Sequence, residues 1–264
     1  MADLKALFEK KLWILDMDGT VYLGDRLFDE TLPFLQRIRD NKAEYLFFTN
    51  NASRSKDTYV TRLRGMGIPV GPENILTSGE TTFRFLKTHR PGKKVYLVGT
   101  PDLEQAFIRE GIELSEDADI VVVSFDTTLT YEKVNTACRL IREGAEFFST
   151  HPDFNCPVEG GFIPDSGSIC AMVTASTGKK PRYFGKPYDD VLAAIEEHTG
   201  IRREDMVVVG DRLYTDIALG ASNGVSSVLV LSGETLLSYL NDSEVQPEYT
   251  VQNVGDLLIS GEKQ

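Results

Sequence analysis

Leu12-Trp13-Ile14-Leu15 is an unbroken apolar run that stops at Asp16, a pattern that predicts a buried strand ending on a charge. Leu32, Leu35 and Ile38 then recur at helical spacing, and Glu44-Tyr45-Leu46-Phe47-Phe48 reads as a second strand. The next helix carries Tyr59, Leu63 and Met66 on one face and breaks near Gly65-Met66-Gly67. The same alternation closes the chain. A strand at Met206-Val207-Val208-Val209, a helix through Ala218 and Ala221, a strand from Ser227 to Leu231 and a last helix near Leu257 follow one another. Strands that alternate with helices pair in parallel, because each helix carries the chain back to the edge from which it started.

Between these stretches lie Val95 to Val98 and Ile120 to Val123, both rich in β-branched residues, with helical patterns around Leu103 to Ile108 and from Val134 to Ile141. The expected architecture is therefore α/β: a doubly wound parallel-sheet core over residues 1–79 and 181–264, interrupted by an inserted α/β domain over 80–180. The least regular stretch runs from His151-Pro152-Asp153-Phe154-Asn155 to Asp165-Ser166-Gly167-Ser168. It reads as a long loop, and long loops within compact domains usually carry function.

A chain of 264 residues with 41% hydrophobic and 26% charged residues can bury a sizeable core. Its formal net charge of -12 argues against a nucleic-acid partner, which is held by clustered Lys and Arg. A small anionic substrate stays compatible, since one bound cation and one well-placed lysine reverse the field locally. Met1-Ala2-Asp3-Leu4-Lys5 lacks the basic-then-apolar pattern of a secretory leader, and no apolar run approaches the roughly 20 residues that span a bilayer. The chain is expected to be cytoplasmic, without a membrane partner, as a monomer or homodimer. Cys138, Cys156 and Cys170 are odd in number and match no metal motif, so no disulfide framework is expected.

Ligands of open parallel sheets bind beyond the carboxyl ends of the strands, so the residues found there decide the chemistry. Asp16 and Asp18 follow the first strand on the same face, and their charges repel unless a divalent cation lies between them or one of them carries a proton. Gly19 lets the chain turn and offers backbone N–H groups, and Thr20 adds a hydroxyl. Thr49-Asn50-Asn51 follows the second strand, and Gly185-Lys186-Pro187 follows a short strand at Arg182 to Phe184. Gly210-Asp211-Arg212 follows the strand at Val207 to Val209, with Asp216 one turn further on. Taken singly, these residues also suit turns and helix caps. Together they supply a nucleophile and acid pair, neutral donors, a lysine and further carboxylates, which is what phosphoryl transfer needs.

The order Asp-x-Asp-Gly-Thr, Thr-Asn-Asn, Gly-Lys-Pro and Gly-Asp-Arg-x-x-Thr-Asp resembles the haloacid dehalogenase superfamily. More narrowly it resembles the phosphatases of the NagD and p-nitrophenyl phosphatase type, whose Rossmann-like core carries a large cap domain between the second and third motifs. The resemblance implies a Mg2+-dependent phosphomonoesterase that hydrolyses small phosphorylated metabolites, sugar phosphates or nucleotides, through an aspartyl phosphate. Asp16 would attack phosphorus, while Asp18 would protonate the leaving oxygen and then accept a proton from water. Thr49 and Asn50 would hold phosphoryl oxygens, and Lys186 would balance charge. Mg2+ would be held by Asp16, the backbone carbonyl of Asp18 and Asp211, with Asp216 behind them. Gly19, Asn50 and Asn51, together with His151 and Asp153 of the long loop, are the expected substrate contacts, with Asn155 and Asp165 as further candidates. His89 and His198 read as surface residues. A phosphomutase would pass through the same intermediate and a non-catalytic binding protein would keep the fold, so both stay open at this point.

Overall fold

Every residue of β1 (Leu12–Leu15) is buried in the computed structural model, which describes residues 4–158 and 160–259 of the chain. A tight antiparallel pair, β2 (Tyr22–Leu23) and β3 (Arg26–Leu27), leads to α1 (Thr31–Asp40), β4 (Glu44–Thr49) and α2 (Lys56–Gly65). β5 (Ile75–Thr77) passes directly into α3 (Ser78–His89) through a reciprocal capping box. Thr77 Oγ1 accepts the Glu80 N–H, and the Glu80 carboxylate accepts the Thr77 N–H. β6 (Val95–Val98), α4 (Pro101–Arg109), β7 (Ile120–Val123), α5 (Tyr131–Glu143) and β8 (Glu146–Ser149) follow in strict alternation. A hairpin of β9 (Asn155–Val158) and β10 (Gly161–Pro164) precedes α6 (Ser166–Thr177) and β11 (Arg182–Tyr183). The chain closes with α7 (Asp190–Thr199), β12 (Met206–Gly210), α8 (Ala218–Asn223), β13 (Ser226–Val230), β14 (Tyr249–Val251) and α9 (Asp256–Ile259).

The described residues form two compact units. The first holds those up to Phe48, Val60–Leu76 and those from Leu192 on; the second holds Thr49–Tyr59 and Thr77–Val191. The first is built on a six-stranded sheet in the order β14-β13-β12-β1-β4-β5, with parallel pairing from β14 to β4. The chain begins in the middle of this sheet, builds outward through β4 and β5, and later returns to the other side of β1. Strand order therefore reverses between β1 and β12, the topological switch point of a doubly wound sheet. Leu15 pairs with Val209 and the Asp16 N–H donates to the Val209 carbonyl at 2.9 Å, so the carboxyl ends of the two strands are level.

The second unit is built on a four-stranded parallel sheet, β11-β8-β7-β6. Alternate side chains serve opposite faces. Val95, Leu97, Ile120, Val122 and Phe148 pack with Phe83, Leu86, Leu103 and Phe107, whereas Val121, Val123 and Phe147 pack with Val134, Ala137, Ile169 and Val173. Both faces are apolar, which is why these strands read as continuous hydrophobic runs instead of alternating ones. Each large side chain buried in this way contributes roughly 1.5–3 kcal/mol.

Several expectations change. The buried face of α1 is Thr31, Phe34, Leu35 and Ile38, and Leu32 lies outside that arc, exposed. Met66 falls just past the end of α2 and is half-buried; Val60 completes the face with Tyr59 and Leu63. The stretch from His151 to Ser168 is not loop throughout, since β9 and β10 pair within it and α6 begins at Ser166. β11 pairs with β8, so the strand ahead of Gly185 and Lys186 belongs to the second sheet and not to the sheet that bears Asp16. Among the described residues no helix is long and apolar enough to cross a membrane.

Candidate active site

Asp16 and Asp211 emerge directly after the two strands that flank the switch point, and Asp216 follows in a wide, π-type turn at Leu213–Ile217. Carboxylate oxygens of all three lie within 4.8 Å of one another. Asp216 folds back so that its Oδ2 accepts the Arg212 N–H at 3.1 Å. Asp211 is 2% exposed; its Oδ2 accepts the Glu234 N–H at 2.6 Å, whereas its Oδ1 is buried with no hydrogen-bond partner among the described residues. Glycines make room for this carboxylate. A Cβ on Gly233 would stand 2.0 Å from Asp211 Oδ2 and one on Gly19 2.5 Å from the same atom, and Gly19 also turns at a φ of +88°.

Carboxylates this close and this buried repel. Burial, together with the charges of Asp16 and Asp216, pushes the Asp211 carboxyl up to about 8 against the pull of Arg212 and the Glu234 N–H. Burial also works against the Arg212 charge, but Asp16, Asp211, Tyr214 and Glu234 more than offset it and hold the guanidinium above its usual range. Arg212 Nε sits 2.9 Å from Glu234 Oε2. A hard divalent cation fits this donor set, which is all oxygen, carries excess negative charge and includes a buried Asp211 Oδ1 that no described residue satisfies. Asp18 differs in kind. Burial raises its pKa, opposed in part by the Gly24 N–H and by Arg62 and Arg212, so it keeps a proton to higher pH than an exposed carboxyl would.

In the second unit Lys186 is 3% exposed, and one side chain holds its backbone at two points. Asn50 Oδ1 accepts the Lys186 N–H at 2.8 Å, and Asn50 Nδ2 donates to the Lys186 carbonyl at 3.0 Å. The same Nδ2 lies 3.3 Å from both Asp153 carboxylate oxygens. Gly185 turns at a φ of +75°, and a Cβ there would meet Asn50 Oδ1 at 2.7 Å, so the residue before the lysine has to be glycine. Thr49 closes β4, buried, with its Oγ1 accepting the Asn51 N–H at 3.1 Å. Asn51 Oδ1 accepts from Ser53 N–H at 3.0 Å and from Ser53 Oγ at 2.6 Å, so this side chain shapes a turn where a substrate contact was expected.

His151, Asp153 and Asp165 also come together, but facing inward. His151 is wholly buried, with Nε2 at 2.8 Å from Asp165 Oδ1 and Nδ1 at 2.9 Å from Thr150 Oγ1. Asp165 accepts the Ser166 N–H at 2.6 Å and so caps α6. His151 and Asp153 were expected to meet the substrate; in the structure both are buried, as an imidazole and a carboxylate can be only when paired, and protein groups pair them. Asn155 is exposed at the start of β9. His89 is exposed as expected, whereas His198 is half-buried with Nε2 at 2.7 Å from the Glu73 carbonyl. Sequence reasoning misses the role of Arg212 and the loop Ser232-Gly233-Glu234-Thr235, in which Ser232 Oγ donates to the Gly19 carbonyl at 2.7 Å. The signal for that loop is its place beyond β13, the strand beside β12.

The haloacid dehalogenase-like hydrolase family matches residues 13–113, and a second family of HAD-like hydrolases matches residues 183–257. The acid sugar phosphatase of Staphylococcus saprophyticus is 32% identical over 255 residues, which cover 96% of this chain and 98% of that protein. Among solved structures, 4-nitrophenylphosphatase from Thermotoga maritima superposes with a TM-score of 0.93 at 42% identity, over 98% of this chain and 99% of that one. NagD from E. coli K-12 superposes with a TM-score of 0.87 at 29% identity, over 94% of this chain and 98% of that one. With family matches at both ends of the chain and relatives along nearly all of it, the chain belongs to the haloacid dehalogenase-like hydrolases, among the phosphatases of the NagD and p-nitrophenyl phosphatase type.

Proposed function

We propose that the protein is a Mg2+-dependent phosphomonoesterase for small phosphorylated metabolites, with sugar phosphates the first class to test. The observation that carries this reading is the cluster of Asp16, Asp211 and Asp216 at the switch point, with Asp211 Oδ1 buried and without a hydrogen-bond partner among the described residues. Asp16, the Asp18 carbonyl and Asp211 would hold Mg2+, with Asp216 behind them, and the ion would supply positive charge against phosphoryl oxygens. In the first half-reaction an Asp16 carboxylate oxygen bonds to phosphorus as the phosphorus–ester oxygen bond breaks. Asp18 gives its proton to that oxygen, and the alcohol departs. In the second, Asp18 takes a proton from a water whose oxygen bonds to phosphorus, the Asp16–phosphorus bond breaks and inorganic phosphate leaves. The raised pKa of Asp18 supports its acid role. The Thr49 hydroxyl, whose oxygen accepts the Asn51 N–H and whose own hydrogen is left to donate, is the neutral donor, and Lys186 is the cation. The inserted domain, residues 80–180, is the part proposed to select the leaving group.

Two kinds of relative lend their names to this reading, an acid sugar phosphatase and a nitrophenylphosphatase. Release of inorganic phosphate from sugar phosphates, nucleotides and pyridoxal phosphate, measured with Mg2+ and with EDTA, tests it. Release is expected only with Mg2+ and without an isomerised sugar product. Isomerised sugar phosphate without free phosphate would make the protein a mutase, and no release from any of these esters would remove the phosphatase reading.

A further inference from the structure

We propose that Asn50 and Asp153 are positioning residues for Lys186 instead of contacts for the phosphorylated substrate, an inference that rests on the phosphatase reading above. A lysine ammonium rides on a flexible four-carbon stem, so its charge is well placed only where its backbone is fixed. Lys186 lies between β11 and α7, where neither a strand ladder nor a helix fixes its peptide groups. The Asn50 amide does so, with its oxygen on the Lys186 N–H at 2.8 Å and its nitrogen on the Lys186 carbonyl at 3.0 Å.

That pairing works in one orientation of the amide and fails in the flipped one. Asp153 selects the working orientation. Its carboxylate only accepts, its two oxygens lie 3.3 Å from Asn50 Nδ2, and they would repel Oδ1 if the amide turned over. The two N–H bonds of Nδ2 then face the Lys186 carbonyl and Asp153, and none is left for a phosphoryl oxygen. Asp153 is itself held fast. Its carbonyl accepts the Gly167 N–H at 2.8 Å, and the next carbonyl, of Phe154, accepts Asp165 N–H at 3.0 Å and Ser168 Oγ at 2.6 Å. Gly167 is packed so closely that a Cβ there would stand 2.2 Å from the Pro152 carbonyl. The buried His151–Asp165 pair locks the same loop two residues before Asp153. Support thus passes from His151 and Asp165 through the loop to Asp153, from Asp153 to the Asn50 amide, and from Asn50 to the Lys186 backbone.

An exchange of amide and carboxylate tests this, with kcat and KM measured on the whole protein using p-nitrophenyl phosphate and Mg2+. Asn50→Asp sets carboxylate against carboxylate and is expected to lower kcat by about ten- to a hundredfold. Adding Asp153→Asn returns a donor to face the new carboxylate, so the double variant is expected to be several-fold faster than Asn50→Asp alone. A double variant no faster than Asn50→Asp, undetectable activity included, would overturn the proposal, because the two defects would then be independent. Asp153→Asn alone keeps an oxygen that accepts from Asn50, and a fall in kcat at unchanged KM is expected. A rise in KM at unchanged kcat would put Asp153 on the substrate and also overturn the proposal. If Asn50→Asp fails to fold, this split decides the matter. A wild-type protein that releases no phosphate would instead remove the phosphatase reading, an outcome distinct from an active wild type with an unrescued double variant.

Discussion

Two positions separate Asp16 from Asp18, and the groups around each differ. Asp16 shares a cluster with Asp211 and Asp216, whose mutual repulsion a bound divalent cation would relieve. Asp18 has the Gly24 N–H and two guanidinium groups nearby, yet burial still raises its pKa, which suits an acid. A proton matters only to leaving groups that need one. Asp18→Asn is therefore expected to slow hydrolysis of a sugar phosphate by about 10^2-fold or more, and to slow p-nitrophenyl phosphate far less, since nitrophenolate departs without a proton. Equal losses on the two esters, in parallel kcat measurements, would argue against the acid role. At this scale the sequence is legible where local geometry decides. The strand-end rule places Asp16 directly after β1 and Asp211 directly after β12, and the structure brings those two together with Asp216. The sequence is not legible for Asn50, whose partner Lys186 lies 136 positions away and whose side chain points to protein for reasons that only the folded chain reveals.

Among the elements, β1, β4, β6, β7, β12 and β13 were legible from their apolar runs, whereas the short strands β5, β8 and β14 and the helices α3 and α6 were not. α3 buries Ser78, Gly79, Thr81 and Thr82 beside Phe83 and Leu86, so half of its inner face is polar and the helical period is masked. α6 is almost uniformly small or apolar along Ser166–Thr177, and a pattern without contrast carries no period. β11 was expected in the large sheet because two residues cannot state their partner; its register with Phe148 and Ser149 is set by tertiary packing. Asp165 shows what α6 depends on. Its carboxylate both caps the helix and pairs the buried His151. Asp165→Ala removes the cap and strands a buried imidazole, so a loss of about 2–4 kcal/mol in urea unfolding is expected. Asp165→Asn, which keeps an acceptor for both bonds, is expected to lose less. Equal destabilisation by the two variants would show that the carboxyl group's shape and polarity do not matter there.

For the whole molecule, the reversal of strand order between β1 and β12 concentrates negative charge at one edge of the sheet, and that has a cost set by pH. The folded chain without metal holds a proton on Asp211 up to about 8, whereas the unfolded chain releases it at the ordinary value near 3.8. Between those values the folded state binds more protons, so the contribution of Asp211 to stability falls as pH rises through this window and levels off above it. Mg2+ competes with that proton, and the stabilisation it gives in urea unfolding is expected to be larger at about pH 8 than at about pH 5. A Mg2+ effect that does not grow with pH would contradict this assignment of the cluster. Asp16 is the proposed acceptor of the phosphoryl group, and the decisive measurement is steady-state phosphate release by wild-type and Asp16→Asn protein in saturating Mg2+. Release by the wild type and a fall of about 10^3-fold or more in Asp16→Asn are expected, with inorganic phosphate still bound by the variant. Release by Asp16→Asn near the wild-type rate would contradict that role for Asp16.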